Sequence, residues 1–140
     1  MEKLIMEKNL SEEEKKEKVK NELKKIWDEL TLTLDNNSTN GTDAMKNKIN
    51  DHEFKRIMDE YLKQNRPLES FENLLVTLNS LDGVAESRLQ KLSLFYKDIV
   101  YNPEEKNEKN REDSLNFALP YVDLLNLTHE DKKNFKKLMN

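Results

Sequence analysis

Between Val19 and Leu34 the apolar residues return about once per helical turn, at Val19, Leu23, Ile26, Trp27, Leu30 and Leu34. At 3.6 residues per turn these positions form one stripe, so this stretch is expected to be a helix with a face to cover. Little in the chain competes with that reading. Glycine occurs twice and proline three times, and the strand formers Val and Ile are sparse, so the turn chemistry and β-branched alternation of sheets are missing. The expected fold class is all-α, an irregular bundle of five or six helices.

The first helix is expected to open at Ser11, whose hydroxyl can accept from the third backbone N–H, with Glu14 placed to reach back as a capping box. It ends at the Asn-, Ser- and Thr-rich connector Asp35 to Thr42. A second helical region runs from about Asp43 to Gln64, with Phe54, Ile57, Met58, Tyr61 and Leu62 on one side and a possible break near Asn50 and Asp51. Pro67 disfavours helical geometry at Arg66 and closes it. A third helix over about Leu68 to Leu81 carries Phe71, Leu74, Leu75 and Leu78, and Gly83 supplies a left-handed stop. A fourth, from Ala85 to about Val100, presents Leu89, Leu92, Phe95, Tyr96 and Ile99. The short connection predicts that helices three and four form an antiparallel αα-hairpin, packed against the second and fifth. Pro103 and the charged run Glu104 to Glu112 read as a linker. A fifth helix carries Leu115, Ala118, Leu119, Val122 and Leu125, kinked or delayed by Pro120. Thr128 with Asp131 caps a short last helix bearing Phe135, Leu138 and Met139.

A chain of 140 residues can bury one core. The expected division is a flexible N-terminal segment, 1–10, and a single helical domain, 11–140. The 28 acidic and 24 basic side chains are interspersed and leave a net charge of −4, the pattern of a solvated helix surface. A sequence pI near 5.4 argues against a general nucleic-acid binder, which carries a basic face. With no cysteine, disulfides, zinc–thiolate sites, iron–sulfur clusters and thiol nucleophiles are excluded. No run approaches the roughly 18 apolar residues of a membrane span, and residues 1–10 lack a secretory apolar stretch. A cytoplasmic protein is expected.

The motifs that carry chemistry fail on register. His52 and Glu53 start a zinc-protease helix pattern, but Arg56 stands where the second histidine belongs. His129 has no partner near it in sequence. Setting Gly41 as the invariant glycine of a calcium loop makes the ligands Asn36, Ser38 and Asn40, all uncharged, and puts Asn47 where a bidentate Glu is required. Adjacent carboxylates such as Asp28 with Glu29 and Asp59 with Glu60 diverge by about 100° on a helix and make no dyad. The expectation is no catalytic residue, no metal site and no cofactor. The several Asn-x-Ser/Thr triplets, including Asn126, read as accidents of an Asn-rich composition.

Two surfaces survive. The order from Leu81 through Gly83, Val84, Ala85, Arg88 and Lys91 to Leu92 resembles a helix-hairpin-helix DNA-binding turn. That resemblance implies a phosphate held by backbone N–H groups at a helix start, with Arg88 and Lys91 strengthening the contact. The departures are Ala85, where the motif has a second glycine, and the acidic Asp82 and Glu86. The other surface is the first helix: if it projects, Leu23, Trp27 and Leu30 become a partner-binding face of the helix-in-groove kind, serving a protein partner or self-association. The cationic last helix, with Lys132, Lys133, Lys136 and Lys137, is too short to anchor on an anionic surface alone. By elimination, the leading expectation is a small non-enzymatic macromolecule-binding protein, such as an inhibitor, immunity factor or adaptor of bacterial or phage origin. The alternatives are a nucleic-acid-binding module using Gly83, Arg88 and Lys91, and a small-ligand-binding helical protein.

Overall fold

The computed structural model describes residues 11–34, 42–64, 66–84 and 87–140. They form six helices: α1 (Glu12–Leu34), α2 (Asp43–Lys63), α3 (Leu68–Ser80), α4 (Arg88–Tyr96), α5 (Asn107–Val122) and α6 (His129–Met139), with no strand among the described residues. The all-α reading holds. The expectations for residues 1–10, for the calcium-loop positions 36–41 and for Ala85 and Glu86 lie outside the described residues.

The ends form where the local chemistry predicts. The Ser11 hydroxyl accepts from the Glu14 N–H at 3.1 Å, and three glutamates fill the first turn of α1, favourable at the positive helix end. Thr128 accepts from the Asp131 N–H at 3.0 Å while the Asp131 carboxylate accepts from the Thr128 N–H at 3.4 Å, a reciprocal capping box for α6. Gly83 has φ +79°, and its turn is closed by the Val84 N–H donating to the Leu81 carbonyl at 3.0 Å. The third position of such a turn favours a residue that tolerates positive φ.

Three expectations are corrected. First, α2 is continuous from Asp43 to Lys63, with no break at Asn50, because the Asn50 side chain points into the core and leaves its helix intact. Second, α5 begins at Asn107, inside the stretch read as a linker, and Pro120 neither delays it nor ends it. The charged start is helical because Lys109 pairs with Asp113 one turn on, at 3.0 Å, and because Asn110 and Ser114 are buried. Pro120 sits in the last turn, where its missing N–H leaves only the carbonyl of exposed Asn116 to water. Third, α4 is shorter than expected, Arg88–Tyr96. Beyond it, side chains from other helices take over the backbone groups. Gln64 donates to the Ile99 carbonyl and accepts from the Tyr101 N–H, Ser114 bonds both backbone groups of Val100, and Asn110 bonds both of Asn102. Backbone groups satisfied in this way no longer need a helix.

The packing order also differs from the expected one. α1 packs most extensively on α3, and α4 on α6, while α3 and α4 touch each other across the Leu81–Val84 turn. α2 leans on α1 and reaches the α3/α4 pair through Tyr61, whose ring lies 5.6 Å from Phe71 and whose hydroxyl donates to the Phe95 carbonyl at 3.1 Å. Leu62, read as part of the apolar side of α2, is exposed. One core contains Leu23, Trp27, Leu30, Leu34, Ile57, Phe71, Phe95, Tyr96 and Phe135.

Candidate functional site

The structure places Leu23, Trp27 and Leu30 inside that core, with Trp27 wholly buried. Trp27 lies 5.0 Å from Phe95 and 5.5 Å from Tyr121, ring centre to ring centre, and its indole N–H donates to the Asn50 carbonyl at 2.9 Å. α1 does not project. Its stripe is covered by α3, α2 and α4, so Leu23 and Trp27 have no free surface to offer a partner in this conformation. Leu30 alone touches an opening.

That opening is a groove of about 560 Å³ between α1, the end of α3, the Leu81–Val84 turn and the start of α4. Its floor is apolar, made by Ile26, Leu30 and Leu78, and its rim is charged. On the α1 side stand Glu22, Lys25 and Glu29; on the other stand Asp82, Arg88 and Lys91. Val84 is 49% exposed, an apolar side chain offered at the mouth. Arg88 and Lys91, the two cations of the turn motif, are thus brought beside Leu30 of the first helix. Gly83 shapes the turn and does not line the groove.

The electrostatics count against a phosphate site. Three carboxylates meet three cations around the rim, so there is no net positive field. Arg88 is engaged by Asp131 of α6 at 3.5 Å and Lys25 by Glu22 at 3.6 Å. Glu29, Asp82 and Lys91 form no ion pair among the described residues. The N-cap of α4, Ser87, makes no side-chain capping bond; its hydroxyl instead donates weakly to the Leu81 carbonyl at 3.5 Å.

A second polar assembly, invisible in the motifs, lies in the core. Glu53 is 4% exposed and accepts a fork from Arg56, at 2.6 Å from Nε and 2.7 Å from Nη2, plus the Tyr96 hydroxyl at 2.5 Å. Arg56 also donates to the Phe117 carbonyl at 2.6 Å and stacks on that ring at 3.8 Å. Next to it, the Tyr121 hydroxyl donates to Asn50 Oδ1 at 2.6 Å. Burial pushes the Tyr96 phenol well above its ordinary range, and the Glu53 carboxylate pushes it further. The Arg56 guanidinium is held more firmly charged, chiefly by its hydrogen bonds to Glu53. With both oxygens of Glu53 occupied, the assembly ties α2, α4 and α5 together and presents no free base. The signal in the sequence was spacing: Asn50, Glu53, Ile57 and Tyr61 fall on one face of α2 at three- and four-residue steps.

Burial raises Tyr61 and Tyr121 as well. These phenols are neutral below their pKa, so the unfolded chain loses their protons first as pH climbs past about 10. The folded state then binds more protons than the unfolded one, and stability falls with rising pH by about 1.4 kcal/mol per pH unit for each such phenol. Apart from the share of exposed Tyr101, absorbance at 295 nm and helical ellipticity are expected to change together in an alkaline titration. Phenolate absorbance amounting to more than one of the four tyrosines near pH 10 with the helices intact would show the buried ones to be accessible.

His52 is exposed on α2 and His129 exposed at the start of α6. Among the described residues no group of three or more His, Asp or Glu side chains is arranged to hold a metal ion, and no helix is long and apolar enough to cross a membrane. Comparison of the chain with protein-family models, with curated proteins and with solved structures finds no match.

Proposed function

We propose that this protein is a non-enzymatic binding module that acts on another cytoplasmic protein, as an inhibitor, immunity factor or adaptor does, through the groove between α1, α3 and α4. The observation that carries the reading is the apolar floor framed by charges of both signs, with Val84 standing exposed between Asp82 and the cations of α4. Such a frame suits a protein segment that inserts one apolar side chain and presents a cation to Glu29 and a carboxylate to Lys91. Burial of the apolar group gives affinity, and the rim charges select orientation and reject wrong partners. A polyanion is a poor fit, because Glu22, Glu29 and Asp82 would face its phosphates.

The test compares the intact chain with a Val84→Asp/Lys91→Glu variant as immobilised baits, each with and without nuclease. Val84 is exposed and Lys91 half-buried, so circular dichroism of the variant is expected to match the parent. The expected result is a nuclease-resistant protein retained by the parent and lost, by about tenfold or more, from the variant. Identical retention by both baits rules out the groove. Retention that nuclease abolishes rules out a protein partner in favour of nucleic acid.

A further inference from the structure

On the far side of the α3/α4 pair the chain makes a smaller cavity whose lining has a different character. Arg66, forced out of helical geometry by Pro67, lays its guanidinium near the Tyr61 and Tyr101 rings, at 5.4 and 5.5 Å. One terminal nitrogen donates to the Gln64 side chain and to the Asp98 carbonyl. Its Nε–H, however, is buried with no acceptor among the described residues, and a buried donor left unpaired on a charged group is costly enough to call for a reason.

Arg66 lines a cavity of about 230 Å³ together with Lys97, Ser70, Asn73 and Asp98, against walls of Tyr61, Leu74 and Leu94. The Lys97 ammonium is in no ion pair, and the Ser70 hydroxyl and Asn73 amide have no hydrogen-bond partner among the described residues. Thr77, also in the lining, is already committed to the Asn73 carbonyl at 2.8 Å. The Asp98 carboxylate opposes an anion, but two cations outnumber it, in a chain whose net charge is −4.

We propose that this cavity binds a small oxyanion, a phosphate or carboxylate group, held by Lys97, Ser70 and Asn73, with the Arg66 guanidinium supplying positive charge from behind. Charge-assisted bonds to such a group are the stronger kind, and the apolar side chains of Leu74 and Leu94 suit a compact apolar body attached to it. The volume limits the ligand to a free anion or a small metabolite.

The test is titration of the uniformly ¹⁵N-labelled full chain with inorganic phosphate and with phenyl phosphate at matched ionic strength. The expected result is saturating shifts of the Ser70, Asn73 and Lys97 amides that fit one site. A Lys97→Gln variant, changed at an exposed position, is expected to bind about tenfold more weakly, and Ser70→Ala supplies a second probe that leaves Arg66 in place. Tighter binding of phenyl phosphate identifies the head group of an organic ligand, whereas equal affinities identify a free anion; both support the site. Shifts that grow without saturating, shifts centred on Lys132, Lys133, Lys136 and Lys137, or unchanged affinity in both variants would overturn it.

Discussion

Replacing Trp27 with alanine is expected to lower the free energy of unfolding by about 4 kcal/mol. Trp27 is fully buried, and its ring meets Phe54, Phe95, Tyr96 and Tyr121. Deleting it removes the transfer energy of the indole and leaves a cavity that four aromatic neighbours on three helices cannot close, a loss of about 3–5 kcal/mol for such residues. It also leaves the Asn50 carbonyl without the indole donor, although water entering the cavity can replace part of that bond. Denaturant unfolding followed by ellipticity checks the magnitude. A loss below about 1 kcal/mol would mean that α1 is not packed on the bundle, and it would return the stripe of Leu23, Trp27 and Leu30 to the surface as a partner face.

The second large effect is expected at Arg56. Truncation to alanine leaves the Glu53 carboxyl group buried with only the Tyr96 hydroxyl to answer it, and removing one partner of a buried pair costs about 3–5 kcal/mol. The Arg56 side chain is 32% exposed, so solvent reaches one edge of the pair and the lower end of that range, about 3 kcal/mol, is expected. A paired replacement, Glu53→Gln with Arg56→Met, is expected to be far milder, within about 1 kcal/mol of the parent, since it removes the charge requirement together with the charge while a side-chain amide oxygen still accepts from the Tyr96 hydroxyl. The comparison separates two roles. If the double variant is as unstable as Arg56→Ala, the fork holds α2 against Phe117 by geometry; if it recovers, the cost of Arg56→Ala is the stranded carboxyl group.

These two sites show how unevenly the chain could be read. The stripe on α1 was legible because six large apolar residues at helical spacing leave one conformation that buries them together. Which way that face turned was not legible, because a helix-in-groove ligand and a core helix share the same pattern. Only α3, lying along α1, decided it. The polar core failed differently. Glu53, Asn50 and Ser114 stand at positions that periodicity assigns to the inside, but a polar residue there reads as a break or a surface until its partners are known. Those partners are Arg56 and Tyr96 for Glu53, Trp27 and Tyr121 for Asn50, and Val100 for Ser114.

The candidate groove was half legible. Arg88 and Lys91 drew notice through a turn motif, and Leu30 through a stripe, yet nothing along the chain joins them, since more than fifty residues separate the two sets. The charge balance that turns the groove away from nucleic acid comes from Glu22 and Glu29 on α1, a helix apart from the motif.

What the sequence by itself determined is local: six stretches able to bury a face, the caps at Ser11 and Thr128, and the left-handed turn at Gly83. Those follow from backbone geometry and side chains within a few residues of one another. What only the tertiary structure decided is where α4 stops, which helices touch, and which charged side chains face a cavity. Those outcomes depend on hydrogen bonds and packing between residues on different elements, such as Ser114 with Val100, Gln64 with Ile99 and Tyr121 with Asn50, whose energies no local pattern encodes.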